Sequence, residues 1–254
     1  MLTAIILTKN EEKNIERCIN SLAFCDEVVV VDDESSDNTV LLAKKLPAKV
    51  LRHKMENYGA QRNWAIEQVK SSWIFFVDAD EVVTEELGVS IQELVQKNDA
   101  NGYMVHRVDY IWNHKFKYGD VGNVWILRLA RRGAGTWQGA VHETWKIDGR
   151  VAKLKGELSH YPNQTIVEFL KHINGYSTLK AKDFYEHGKK TNIFEIVLGP
   201  IWIFIKLYIL KLGALDGIYG FIHAMLMSFY MFLVAGKLYL RYNNIHANRQ
   251  TQSN

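Results

Sequence analysis

The chain has 254 residues, of which 48% are hydrophobic, 23% are charged and only 3 are proline, and its net charge is +3. That is enough for one sizeable core, or one domain with an appendage, and it leaves no compositional case for disorder. So mild a charge, with no Lys/Arg run interleaved with aromatics, argues against a nucleic-acid partner.

The first residues, MLTAIILTKN, hold no basic n-region, and their apolar run is too short for a secretory signal. Ala4–Thr8 reads instead as a first strand of a cytosolic protein. In EEKNIERCINSL, Ile15, Ile19 and Leu22 recur at helical spacing. Cys18 and Cys25 lack the spacing of a zinc site or a redox CxxC pair and read as reduced, small hydrophobes. Glu27–Val31 reads as a strand, Thr39–Leu46 as a helix, Lys49–Arg52 as a short strand and Gly59–Val69 as a helix. Trp73–Val77 is the fourth strand. Thr84–Gln96 is a helix with Glu85 and Glu86 in its first turn, where the helix dipole favours acids. The alternation predicts an α/β fold with a mostly parallel, doubly wound sheet, and the continuous apolar strands fit a sheet covered on both faces.

From Gly102 to Leu158 the pattern changes. YMVHRVDYIW, VWILRLARR and Val151–Leu154 read as strands of a mixed or antiparallel half. Thr165–His187 reads as a long polar helix. Ile193–Leu212 is rich in Ile, Leu, Trp and Phe but holds Pro200 and Lys206, and Ile218–Gly236 carries no charged residue.

Three expected strands end in polar residues at one edge: TKNEE, VDDESSDNT and VDADE. Ligands of open α/β sheets bind beyond the carboxyl ends of the strands. Thr8, Asn10, Glu11, Asp32, Asp33, Asp78 and Asp80 are therefore expected around one crevice. Each alone has a plainer reading, as a helix cap or a helix N-terminal acid. Three coincident strand ends do not. There is no G-x-G-x-x-G and no G-x-x-x-x-G-K-[ST], so the ligand is neither a dinucleotide nor a P-loop nucleotide. The site offers carboxylates, and carboxylates meet a phosphate through a hard cation. Mg2+ or Mn2+ binds one or two carboxylates plus substrate phosphates. Asp78 and Asp80 are two apart, on one side of an extended segment, with small Ala79 between them. Glu81 is expected beside the N-terminus of the next helix.

In order and spacing, LTKNEEKNIERCINSL, VVVVDDESSDNT, AQRNWAI and WIFFVDADE resemble the motifs of the family 2 glycosyltransferases of GT-A fold. The likeness is strong over residues 1 to 100. GAVHETW, LSHYPN and the tail segment KLGALDGIYGF extend it toward the bacterial lipopolysaccharide inner-core β-1,4-glucosyltransferases. That resemblance implies a single Rossmann-like nucleotide-sugar-binding domain over 1–192. Residues 1–100 form its nucleotide-binding half and 101–192 its acceptor-binding half. Membrane-associated helices over 193–242 and a polar tail over 243–254 follow.

The resemblance also implies roles. Thr8, Asn10 and Glu11 line the nucleotide pocket. Asp32 reads the nucleobase; a carboxylate there accepts the imide N–H of uracil and favours a UDP-sugar donor. Arg62 and Asn63 flank the nucleotide, with the Arg62 guanidinium suited to the diphosphate. Asp78 contacts ribose or metal, Asp80 the metal, and His160 closes the metal shell or bonds the diphosphate. His160 also has a purely structural reading. Glu143 matches the family's base, with His142 as competitor; alternatively, Glu143 only pairs with Arg128, Arg131 or Arg132. Tyr110, Trp112 and Trp137 either stack on sugars or belong to the core. No Q-x-x-R-W motif of the processive polymerases follows the D-x-D, which implies one sugar per encounter.

The implied reaction is inverting transfer of one sugar, glucose from UDP-glucose, to a lipid-anchored saccharide in the heptose region of the lipopolysaccharide inner core. The alternative is a polyprenyl-phosphate sugar synthase using a UDP-sugar. The apolar segments, flanked by Lys206, Lys211, Lys237, Arg241 and several aromatics, are expected to lie on the cytoplasmic face of the bacterial inner membrane. A true span, or a buried or homodimer-forming face, is the other use open to them.

Overall fold

The computed structural model describes residues 1–97, 99–139, 143–162 and 165–251, with side chains to residue 243. The elements in order are β1 (Leu2–Thr8), α1 (Ile15–Asn20), β2 (Glu27–Asp32), α2 (Thr39–Ala43), β3 (Lys49–Arg52), α3 (Tyr58–Glu67) and β4 (Trp73–Asp78). Then come β5 (Glu81–Val83), α4 (Glu85–Lys97), β6 (Gly102–Ile111), β7 (His114–Lys115), β8 (Val124–Arg131), β9 (Gly135–Gln138), β10 (Thr144–Ile147) and β11 (Val151–His160). The C-terminal helices are α5 (Ile166–Glu186), α6 (Ile193–Phe204) and α7 (Gly217–Thr251). A π-helical turn, Ile205–Leu210, continues α6, and a 3-10 turn, Gly213–Asp216, leads into α7. Helix α7 runs on into the residues expected as a polar tail.

The chain forms two compact units, Met1–Asp109 with Val124–Tyr161, and Tyr110–Asn123 with Pro162–Asn254. In the first, the main sheet has the order β3-β2-β1-β4-β8-β6-β11-β5. The strands β3, β2, β1 and β4 are parallel to one another, as the strand–helix alternation predicts. Beyond β4 the sheet is mixed: β8 runs antiparallel to β4 and β6, β11 parallel to β6, and β5 antiparallel to β11.

Successive residues of a strand face opposite sides, and the core divides accordingly. Ala4, Ile6, Val28, Val30, Phe75 and Val77 pack under α1, α2 and α4. Ile5, Leu7, Val29, Val31, Ile74 and Phe76 pack under α3 and the β9–β10 hairpin, whose Trp137 and Trp145 stack 5.1 Å apart against Phe76. Both faces are dry, which is why these strands read as unbroken apolar runs.

Two elements near the site are not visible as periodic patterns. The three-residue β5 is a strand only because β11 lies beside it. Strand β11 in turn extends six residues past Leu154, over a register shift between Lys153 and Glu157. At this bulge Gly156 has φ +87, and a Cβ there would lie 2.4 Å from the Leu87 amide nitrogen, so the backbone needs glycine.

In the second unit, a capping box of Thr165 and Glu168 starts α5, and Asn192 caps α6 by accepting from the Glu195 N–H. The Asp216 carboxylate accepts from the backbone N–H groups of Lys117 and Tyr118, tying the 112–123 loop to the turn before α7.

Candidate active site

The parallel registers pair Thr8 with Asp32 and Leu7 with Asp78, so three strand ends converge as expected. Asp32 is fully buried. One of its oxygens, Oδ2, accepts from the Ser35 N–H at 3.1 Å; the other, Oδ1, is buried with no hydrogen-bond partner among the described residues. The buried Thr8 hydroxyl is likewise without one. A buried carboxylate oxygen left unmet is costly, and such groups mark ligand sites. Beside Asp32, a cleft of about 350 Å3 is lined by Glu34, Ser35, Arg52, His53 and Lys54. Arg52 is the ladder partner of Asp32, so the cleft opens where β2 and β3 end.

The loops after β1 and β2 lock together. Asn10, at φ +56, donates its N–H to the Ser35 hydroxyl and accepts from the Ser36 N–H. Glu11 donates its N–H to Thr39 and accepts from the Asn14 amide, and burial raises its carboxyl above the usual range against that bond. Asp33 is held by Lys9 at 2.8 Å and by the Met55 N–H. Asn10 and Glu11 thus shape the rim of the crevice.

The D-x-D segment is divided. The Asp78 carboxylate faces two guanidiniums, Arg62 at 3.0 Å and Arg128 in closer contact still. Burial alone would raise this carboxyl, but the charges of Arg128 and Arg62 outweigh it and hold the group well below the usual carboxylate range. Asp78 is therefore an anchor for two arginines in this structure. Asp80 has a different partner, its Oδ2 lying 3.2 Å from Nε2 of His160. Nδ1 of the same ring is 2.8 Å from Asp109, a nearly buried residue. The sheet fixes this line: His160 is the ladder partner of both Asp109 and Glu81, and the Tyr161 N–H donates to the Asp80 carbonyl.

Glu81 corrects the sequence expectation. It does not sit at a helix terminus. Fully buried on β5, it accepts from the Asp78 N–H at 2.8 Å and pairs with Arg128 at 3.1 Å. Burial pushes its carboxyl up, with Arg128 pulling against that.

Among the described residues no group of three His, Cys, Asp or Glu side chains is arranged to hold a metal. Asp80 and His160 do form a two-donor pair, one oxygen and one nitrogen. That fits Mg2+ or Mn2+ where substrate phosphates complete the shell. The Asp109 carboxylate behind His160 is what a ligating imidazole commonly has on its other nitrogen.

Glu143 lies 3.4 Å from the Arg62 Nε, and not against Arg128, Arg131 or Arg132. Arg62, buried and stacked over Trp137, thus bridges Asp78 and Glu143. His142 lies outside the described residues. Asn63 is spent on structure: its amide donates to the Trp137 carbonyl and accepts from the Trp137 N–H, binding α3 to β9. Trp137 belongs to the core, and Trp112 packs on Phe116 and Phe169 in the second unit.

Arg128, Glu81 and Asp109 are the site residues that sequence reasoning passed over. The signal was a charged side chain inside an apolar strand, as in VWILRLARR and YMVHRVDYIW. Burial lowers the affinity of His160 for a proton, but Asp109 and Asp80 outweigh it and raise the pKa to about 10. In metal-free protein this stabilisation is complete below the unfolded value of about 6.5 and disappears as pH rises through about 10. Asp109→Asn should therefore lower the melting temperature more at pH 7 than at about pH 10.5, where only the pair of Asp109 with Arg107, at 3.2 Å, remains to be lost. Equal losses at both pH values would refute the ion-pair assignment.

Residues 3–145 match the model of Glycosyl transferase family 2. The lipopolysaccharide core biosynthesis glycosyltransferase LpsC of Rhizobium meliloti (strain 1021) is 33% identical, over 95% of this chain and 93% of that protein. An uncharacterized glycosyltransferase of Rickettsia bellii (strain RML369-C) is 30% identical, over 99% of this chain and 90% of that one. Among solved structures, S. aureus TarS 1-349 in complex with UDP-GlcNAc is 16% identical with a TM-score of 0.49, covering 92% of this chain and 90% of that chain. The chain belongs to glycosyl transferase family 2, and it is a glycosyltransferase of GT-A fold.

Proposed function

We propose that this enzyme transfers one sugar, glucose from UDP-glucose, onto a lipid-linked saccharide in the heptose region of the lipopolysaccharide inner core, with inversion. The observation that carries the donor assignment is Asp32, whose buried Oδ1 lacks a partner beside the cleft at the ends of β2 and β3. An acceptor oxygen there suits the imide N–H of uracil. Similarity to a lipopolysaccharide core glycosyltransferase over nearly the full length of both chains supports the acceptor class. The exposed apolar helices suit an acceptor held at the cytoplasmic face of the inner membrane.

In this reading Asp80 and His160 would hold Mg2+ or Mn2+, which neutralises the diphosphate when bound. Asp78 keeps Arg62 and Arg128 in place beside it. Glu143 accepts the proton of the acceptor hydroxyl as that oxygen bonds to the anomeric carbon. The bond from that carbon to the diphosphate oxygen breaks, and UDP leaves with the electron pair. One displacement of this kind inverts the anomeric centre.

The test is a thermal-shift titration of the full chain with a panel of UDP-sugars, with and without Mn2+, followed by transfer assays on heptose-containing lipid. UDP-glucose should raise the melting temperature, since a ligand of the folded state stabilises it by mass action. Asp32→Asn should weaken UDP binding about ten- to hundred-fold, the value of one hydrogen bond to a charged group. No shift with any UDP-sugar, or an unaltered affinity in D32N, would sink the donor assignment.

A further inference from the structure

Ile193–Leu210, which is α6 with its π-helical continuation, and Gly213–Asn243 are long and apolar enough to cross a bilayer. Their packing in the second unit points elsewhere. Helix α5 lies along α7: Phe169 meets His223, Ser177 and Thr178 meet Lys237, and Tyr185 meets Arg241 and Tyr242. It carries Glu168, Lys171, His172, Lys180, Lys182 and Asp183, a set that hydrocarbon strongly disfavours. The Lys237 ammonium donates to the Asn174 carbonyl and side chain and to both hydroxyls, so the two helices are pinned together in mid-length. A bilayer-spanning α7 would draw α5 into the hydrocarbon with it.

Helix α6 packs on another side of α7, with Gly199 against Met231 and Phe204 and Tyr208 against Phe221. What α7 leaves open is a stripe of Ile218, Met225, Phe229, Phe232 and Leu240, each more than a third exposed. At about 100° per residue this stripe lies roughly 150° around α7 from the α5 side, and next to the α6 side. No residue of α6 is buried, and its exposed side chains include Phe194, Leu198, Ile201 and Trp202. A second copy of the chain would cover one stripe of such a helix; a lipid surface can take up more of the apolar faces that α7 leaves open. Exposed Lys206 and Lys211, with Tyr219 and Tyr239, suit the anionic headgroup level.

We propose that the α6–α7 pair lies in the plane of an anionic leaflet, apolar stripe down and α5 on the water side, and that neither helix spans. This deepens the membrane-surface reading above. Its test needs no donor or acceptor, so it can fail independently of the proposed reaction. The full chain is floated with sealed vesicles of phosphatidylcholine and phosphatidylglycerol. Phe229→Asp with Phe232→Asp should lower partitioning about ten-fold or more with an unchanged melting temperature. Tyr176→Asp with Leu179→Asp, on α5, should leave partitioning unchanged. Lys211→Cys, in the turn between α6 and α7, should react with a membrane-impermeant maleimide from the side to which the chain was added. Protection of that cysteine would mean a span, and loss of binding in the α5 pair would reverse the orientation. Either outcome overturns the proposal. So would a lipid-free dimer that the Phe229 and Phe232 changes abolish while vesicle binding persists.

Discussion

Replacing Arg128 with methionine is expected to destabilise the protein by about 3 kcal/mol, the lower end of the range for breaking a buried ion pair from one side. The reason is what the guanidinium leaves behind. Glu81 is fully buried and Asp78 mostly so, and both carboxylates would remain, hydrogen-bonded through the Asp78 N–H and repelling each other. Arg62 would still hold Asp78, and Asp78 is a third exposed, which moderates the loss. Urea denaturation measures it. In a Glu81→Gln background the same substitution should cost less, because one of the two stranded charges is then gone. If R128M stays within about 1 kcal/mol of the parent, the pair is not what holds the β4–β5 corner.

The second large effect is chemical. Glu143→Gln should lower kcat about 10²- to 10⁴-fold, the usual contribution of a positioned base. Donor binding should survive, since glutamine keeps the size of Glu143 and Asp78 still holds Arg62 at 3.0 Å. The discriminating pattern is therefore a thermal shift with UDP-sugar equal to that of the parent and almost no transfer. His142→Asn should retain most of the activity. Should E143Q turn over within ten-fold of the parent, or H142N carry the loss instead, the base is misassigned.

The reliability of the sequence as a guide followed the range of the interactions. Strands β1 to β4 are short-range βαβ units with both faces buried, so their apolar runs and parallel pairing were legible. Registers pairing Thr8 with Asp32 and Leu7 with Asp78 then bring the expected residues to one edge. Glu81 was misplaced because its strand exists only through a partner far along the chain, at Leu158–His160. Asn63 was expected beside the nucleotide because AQRNWAI resembles the family's motif there, but an amide has one donor end and one acceptor end, and Trp137 offers the matching pair. Asp109 and Arg128 are single charges inside apolar strands. Each is a buried charge with an opposite charge facing it, a pairing that periodicity does not encode.

The order of the strands also has a consequence for biosynthesis. β4 lies in the middle of the sheet, yet its far neighbour β8 is not made until residue 131, and β11 closes only at His160. A chain emerging from the ribosome thus carries an apolar strand with one open edge while some fifty further residues are added (a rough count), which is when such edges invite mispairing. The nucleotide edge of β1 and β2 can be complete by then; the Asp80–His160–Asp109 line cannot. A ribosome-bound fragment ending near residue 120 should therefore recruit holding chaperones and show no metal response, whereas release past residue 160 ends both.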